Sequence, residues 1–335
     1  MSALAKGKPR PAWPDWYDSL RAYRVPSRWR SLWQLTNTLV PYAAMWTLMV
    51  LAISQGMPVL ALLPGVVAAG LLVRVFIFFH DCVHGSYFRS PRWNRIIGHL
   101  LGVLVFTAFD DWRYSHLRHH ATYGNLDSRG IGDVWTMTLE EYRNASRVKR
   151  SMYRAYRNPL VTFVLGSVVS FVFVTRFATP GAGRREKRSV LLTNALLVCV
   201  GTLLSLAMGW RSFLIIQLGV LWIAAMAGVW LFFVQHQFRG VYWERQEAWE
   251  PLRAAMEGSS FYRLPAVLRW FSGSIGYHHI HHLSPRIPNY RLKACYEAIP
   301  ALRDARPLTI WRSLGCPRLK LWDEGEHQLV PFPRG

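Results

Sequence analysis

Charge-free stretches long enough to cross a bilayer recur along this chain. A helix covers a hydrocarbon core of about 30 Å with roughly 20 residues, and apolar runs of that order occupy Thr38 to Gln55, Pro58 to Phe79, Val190 to Met208 and Phe213 to Val234. The first pairs with the second and the third with the fourth across short connections. The pattern therefore predicts an all-α integral membrane protein with four transmembrane helices in two hairpins, 38–79 and 190–234. One charge, Arg74, interrupts the second run. It stands near the run's end, so its side chain is expected to snorkel to the headgroups.

Two further runs need the polar residues around them to be placed. Ile96 to Phe109 is too short to span. Leu160 to Ala178 is long enough, but Arg143, Arg147, Lys149, Arg150, Arg154 and Arg157 precede it, and Arg184, Arg185, Lys187 and Arg188 follow it. Basic loops stay cytosolic, so both ends lie on that side and the run is interfacial or re-entrant. The connection between the third and fourth long runs carries only Arg211, which fits the opposite side. The expected organisation is a single membrane domain. Its parts are a cytosolic N-terminal arm (1–37), the first hairpin (38–79), a cap with interfacial segments 96–109 and 160–178 (80–189), the second hairpin (190–234) and a further cap with a basic tail (235–335).

Composition adds a sign to this plan. The 335 residues are 51% hydrophobic with a formal net charge of +21. In a soluble protein that charge would suggest nucleic acid, but here it clusters beside the apolar runs and no base-reading module accompanies it. Anionic lipid headgroups account for it, and nucleic-acid binding is not expected. Cys82, Cys199, Cys295 and Cys316 show no paired spacing and imply no disulfide framework. Lys6, Lys8 and Arg10 precede the first run by too far for a cleaved signal peptide, so the start reads as a cytosolic arm. Only six of the 40 basic residues are lysines, compatible with a GC-rich bacterial genome and hence an inner membrane.

The chemistry lies in the histidines. Most of the 12 fall in three clusters, HDCVH, HLRHH and HHIHH. His80 and His84 stand four apart; His116, His119 and His120 stand at i, i+3 and i+4, and His278, His281 and His282 repeat that spacing. On a helix each set shares one face. A lone histidine is most often a hydrogen-bonded structural residue, but three clusters at helical spacing are not. Imidazole suits iron, zinc, copper and nickel, and eight or more nitrogens exceed what one four- to six-coordinate ion can use, so two metals are expected. All three clusters fall on one side of the membrane, because zero and then two long runs separate them.

HDCVH, HLRHH and HHIHH resemble the histidine boxes of the membrane fatty acid desaturases, a likeness extending from about Phe76 to Leu292. The resemblance implies a ninth ligand, His236 in FFVQHQF, giving the set His80, His84, His116, His119, His120, His236, His278, His281 and His282. It also implies iron rather than zinc as the metal, O2 as co-substrate, and insertion of a cis double bond into an acyl lipid or acyl thioester. Iron can supply a strong oxidant for unactivated methylenes, whereas zinc has no redox chemistry. HHIHHLSPRIPNYRL and GDVWTMTLEEY are similar to bacterial and acyl-lipid methyl-end members. The front-end branch has Gln where His278 stands and usually a fused cytochrome domain, so an external electron donor, a ferredoxin or cytochrome-type protein, is expected here. Asp81 is expected to orient an imidazole from behind. His99, His279 and His327 are read as structural or exposed. The nearest competing function is oxygen insertion by a hydroxylase or ketolase with similar boxes.

Overall fold

In the computed structural model, which describes residues 13–333, the apolar runs are the cores of longer helices. Lys6, Lys8 and Arg10 lie outside the described residues. A 3-10 turn, Asp15–Tyr23, leads into α1, Arg28–Ser54, which starts ten residues before its apolar run and exposes Trp29 and Trp33 there. Amphipathic rings of this kind settle at headgroup level. A short turn, Pro58–Ala61, reverses the chain into α2, Leu62–His84, which carries the first histidine cluster on the same continuous helix as the second apolar run.

An amphipathic helix, α3, Pro91–Leu104, and a polar one, α4, Phe109–Thr122, follow. The polar stretch beyond forms α5, Leu139–Asn144, and α6, Arg147–Tyr156; α5 is closed at its start by a capping box between Thr138 and Glu141. The ambiguous run 160–178 is broken into a π-helical turn, Leu160–Leu165, then α7, Gly166–Val172, and a final turn, Val174–Arg176, together bent by 62° from α6. Its two ends are tied to histidine-bearing parts of the chain. Arg157 donates to Gln237, one residue beyond His236, and Thr179 donates through its backbone N–H and its hydroxyl to Asp111 of α4. The segment enters and leaves at one end of the bundle.

The second hairpin is α8, Arg184–Met208, and α9, Trp210–His236. Four helices of the chain are long and apolar enough to cross a membrane, and α2 and α9 form its buried centre while α1 and α8 face outward. The remainder is a cap of short elements: α10, Pro251–Met256, α11, Ala266–Phe271, α12, His278–Leu283, α13, Asn289–Ala298, and α14, Ile310–Ser313. Two minimal ladders stitch it together. Strand β1, Phe261–Arg263, runs parallel to β2, Pro307–Thr309, and β3, Leu321–Asp323, antiparallel to β4, Gln328–Val330.

Arg74 departs from the sequence expectation. It does not reach the headgroups but is buried, with its Nε donating to Thr38 Oγ1 at 3.1 Å and its Nη1 to the backbone carbonyl of Trp270. Its guanidinium also lies 4.1 Å from the Trp270 ring centroid. The cause is a fold-back in the cap: Phe271 packs against Gly70, so α11 brings a carbonyl down the side of α2 to the charge. A buried guanidinium is tolerable only where such partners replace water.

Candidate metal centre

Each histidine is placed by a local device. His80 and His84 occupy the last turns of α2, which Gly85 ends in the left-handed conformation (φ 68°), its N–H bonding back to the Asp81 and Cys82 carbonyls. A side chain there would strain the stop that fixes His84. Asp110 and Asp111 sit in the first turn of α4, favourable at a helix start, and His116, His119 and His120 occupy its second half. His236 is the last residue of α9. The six-residue α12 is held from behind, where fully buried Ile280 packs with Leu20, Ile287 and Leu302, leaving His278, His281 and His282 to face the other way.

The three clusters converge. One nitrogen from each of His80, His84, His116, His120 and His281 lies within 4.8 Å of the others, and His119, His236 and His282 form a second such group. His278 joins the second, its Nε2 standing 3.0 Å from His236 Nε2 and 3.2 Å from His282 Nε2.

These donors fit metal ions. His236 Nε2 lies 3.1 Å from His119 Nε2 as well as 3.0 Å from His278 Nε2, yet an imidazole Nε2 carries either one proton or one lone pair and can satisfy one partner only. His120 Nε2 is in the same position between His116, at 3.2 Å, and His281, at 3.0 Å. A cation inside each group satisfies every nitrogen at once, since bonds of about 2.1 Å at right angles leave ligand nitrogens roughly 3.0 Å apart. Burial and the neighbouring imidazoles push His116, His120, His278, His281 and His282 well below the ordinary imidazole pKa. The rings are thus neutral and their lone pairs free to coordinate.

Behind the clustered histidines, the arrangement differs in part from the sequence expectation. Asp81 lies 3.4 Å from His80 Nδ1 through Oδ1, while its Oδ2 accepts from Asn289 N at 2.8 Å and Asn289 Nδ2 at 2.9 Å. It spends its stronger bonds pinning the start of α13, and hence α12, to α2. The closest carboxylate to any histidine is one the sequence reading did not single out: Asp133 Oδ1 lies 2.5 Å from His119 Nδ1. Its only sequence signal was membership of GDVWTMTLEEY. His279 turns away, within 3.1 Å of the Leu302 carbonyl, and burial lowers its pKa to about 4. His99 faces Asp110 at 3.5 Å, and His327 is exposed near Glu244.

A cavity of about 260 Å³ reaches this centre from within the bundle, walled mainly by apolar side chains of α2 and α9. Leu72, Phe76, Leu221 and Ala225 line it, and at its polar end stand His80 and His116 of the first group and His278 of the second. Trp112 stacks on His116 with ring centroids 4.1 Å apart. The arrangement can hold an extended apolar chain against both groups at once.

Among known proteins, residues 57–313 match the family model described as "Fatty acid desaturase". The chain is 44% identical over 311 residues to a "Fatty acid desaturase" of Bacillus subtilis, covering 93% of this chain and 88% of that one. It is 30% identical over 247 residues to the "sn-1 acyl-lipid omega-3 desaturase (ferredoxin)" of Synechocystis, covering 68% and 64%. With the "Omega-3 fatty acid desaturase, chloroplastic" of Brassica napus it shares 28% over 249 residues, covering 67% and 57%.

Proposed function

The chain belongs to the fatty acid desaturase family, and on that premise we propose that it is one membrane unit that inserts a cis double bond into an acyl lipid, with two irons held by the nine histidines. His80, His84, His116, His120 and His281 would hold one ion and His119, His236, His278 and His282 the other. When bound, the irons supply the oxidising power, drawn from O2 and two electrons, that removing hydrogen from unactivated methylenes requires. The observation that carries the reading is the cavity whose polar end is lined by histidines of both groups.

The protein's own part is orientation and exclusion. Leu72, Phe76, Leu221 and Ala225 hold the methylenes by apolar contact and keep water from them, and stacking on Trp112 fixes the ring plane of His116. Asp133 accepts from His119 Nδ1–H, leaving Nε2 as that ring's donor to the metal. Electrons arrive from a separate acidic donor, a ferredoxin or cytochrome-type protein, at the basic cap; the Synechocystis relative carries "ferredoxin" in its name. In this reading the histidine end faces the cytosol of a bacterial inner membrane, a sidedness supported by the basic flanks of 160–178.

The test is fatty acid profiling, with double-bond localisation by mass spectrometry, of a host expressing the chain beside one expressing His120→Ala. A new unsaturated species only with the intact chain is expected. An oxygenated product, or no product with iron-loaded protein and a working donor, would refute the reading.

A further inference from the structure

Away from the histidines, a cavity of about 400 Å³ opens where α3, α4 and α8 meet. Its lining includes Arg95, His99, Asp110, Arg184, Arg185 and Arg188. One carboxylate thus faces four guanidiniums, and it is already engaged: Asp110 pairs with Arg185 at 2.5 Å and Arg95 at 3.4 Å. Glu186, on the same helix as Arg185, does not line the cavity and lies against Gly183. Arg184 and Arg188, one turn apart on α8, have no hydrogen-bond or ion-pair partner among the described residues, so the cavity keeps unneutralised positive charge.

The walls say what kind of anion fits. On α3, Trp93, Ile96 and Leu100 form an exposed apolar stripe at i, i+3 and i+7; on α8, Leu191 and Leu192 are likewise exposed. Arg184 is also the first residue of a helix apolar enough to span. The mouth of the cavity therefore sits where headgroup gives way to hydrocarbon, with cationic walls above and lipid-facing side chains beside it. A free anion would use only the first feature, whereas an anionic glycerophospholipid uses both, its phosphodiester among the arginines and its tails along the stripes.

We propose that this cavity is a binding site for an anionic glycerophospholipid, separate from the acyl cavity. Asp110 stands in the first turn of α4, so the bound headgroup rests against the helix that carries His116, His119 and His120.

The test is titration of the full-length purified protein with dioleoyl phosphatidylglycerol, followed by native mass spectrometry, with dioleoyl phosphatidylcholine and inorganic phosphate in parallel. Phosphatidylglycerol should bind more tightly than phosphatidylcholine, and Arg184→Gln with Arg188→Gln should weaken it by about tenfold or more. Arg147→Gln with Lys149→Gln, an equal loss of charge on exposed α6, should leave it unchanged, and Arg184→Lys with Arg188→Lys should retain most of the binding. Equal binding of the two lipids, equal weakening by both Gln pairs, or displacement of the lipid by millimolar phosphate would overturn the proposal. Because no turnover is measured, failure here is distinguishable from failure of the desaturase reading.

Discussion

Asp133 Oδ1 and His119 Nδ1 stand 2.5 Å apart, with both side chains almost wholly removed from solvent. The pair joins a loop carboxylate to a histidine of the group of four and fixes which nitrogen of that ring faces the centre. Asp133→Ala should weaken metal retention by about 10- to 100-fold, while Asp133→Asn, which keeps an acceptor, should weaken it less. Metal content after dialysis against graded chelator measures this. Equal retention in wild type and Asp133→Ala would remove the role.

Purified protein grown with iron should contain about two metal ions per chain, and His236→Ala or His282→Ala about one. His279→Ala should keep both ions yet unfold more readily, by about 1–3 kcal/mol, because the Leu302 carbonyl loses its buried partner. The direction with pH follows from the lowered values of His116, His120 and His281. Neutral, coordinating rings persist below the ordinary imidazole value of about 6.5, so metal should survive brief exposure to about pH 6 and be released only on further acidification. Release in step with free imidazole would contradict the geometry.

Arg74→Ala should lower thermal stability in detergent, because it strips the Trp270 carbonyl and Thr38 of their partner, at about 1–3 kcal/mol for each buried group left unsatisfied. Arg74→Lys should recover little, since an ammonium cannot bond both groups and stack on the ring with one planar fork. Melting followed by tryptophan fluorescence reads both variants.

In the acyl cavity, a methyl group added at Gly228 meets no atom within 4 Å. Gly228→Ala should therefore leave the product pattern nearly unchanged, and Gly228→Phe should fill the space and cut turnover of long chains by at least about tenfold. Product profiles at matched expression separate the two, and unaltered profiles with Gly228→Phe would place the acyl chain elsewhere.

A groove of about 930 Å³ on the cap is rimmed by Arg239, Arg306, Arg312 and Arg318 against Glu257 and Asp304. Its lining includes Ser260, whose N–H bonds the carbonyl of Gln235, the neighbour of His236. Turnover limited by an acidic donor should fall with ionic strength, and Arg306→Glu with Arg312→Glu should slow it without altering metal content. A rate indifferent to salt under donor-limited conditions would exclude this surface.

How far the sequence reached depends on range. Helical spacing within HLRHH and HHIHH made the convergence of these histidines legible, because i, i+3 and i+4 fix a common face locally. The four spans were legible from apolar length, though not their ends, since Arg28 and Arg184 continue helices into polar sequence. His236, alone in its stretch, was legible only through family likeness. Asp133 and Arg74 were beyond reach for one reason: each takes its meaning from a residue that tertiary folding delivers. The ladder of β1 with β2 escaped notice too, as three-residue strands carry no usable period.

The contact between Arg74 and Trp270 also constrains how the protein is made. The partners lie 196 residues apart in the chain, and at roughly 5–20 residues per second a ribosome needs about 10–40 s to cover that distance. Throughout this interval α2 holds a guanidinium whose carbonyl partner does not yet exist, against an insertion cost of about 2.5–3.5 kcal/mol for arginine at a helix centre. The hydroxyl of Thr38 on α1 is already synthesised and within reach. Membrane entry of the two helices as a pair, with the arginine bonded first to α1 and reaching its second partner when the cap closes, is the order of biogenesis this contact favours.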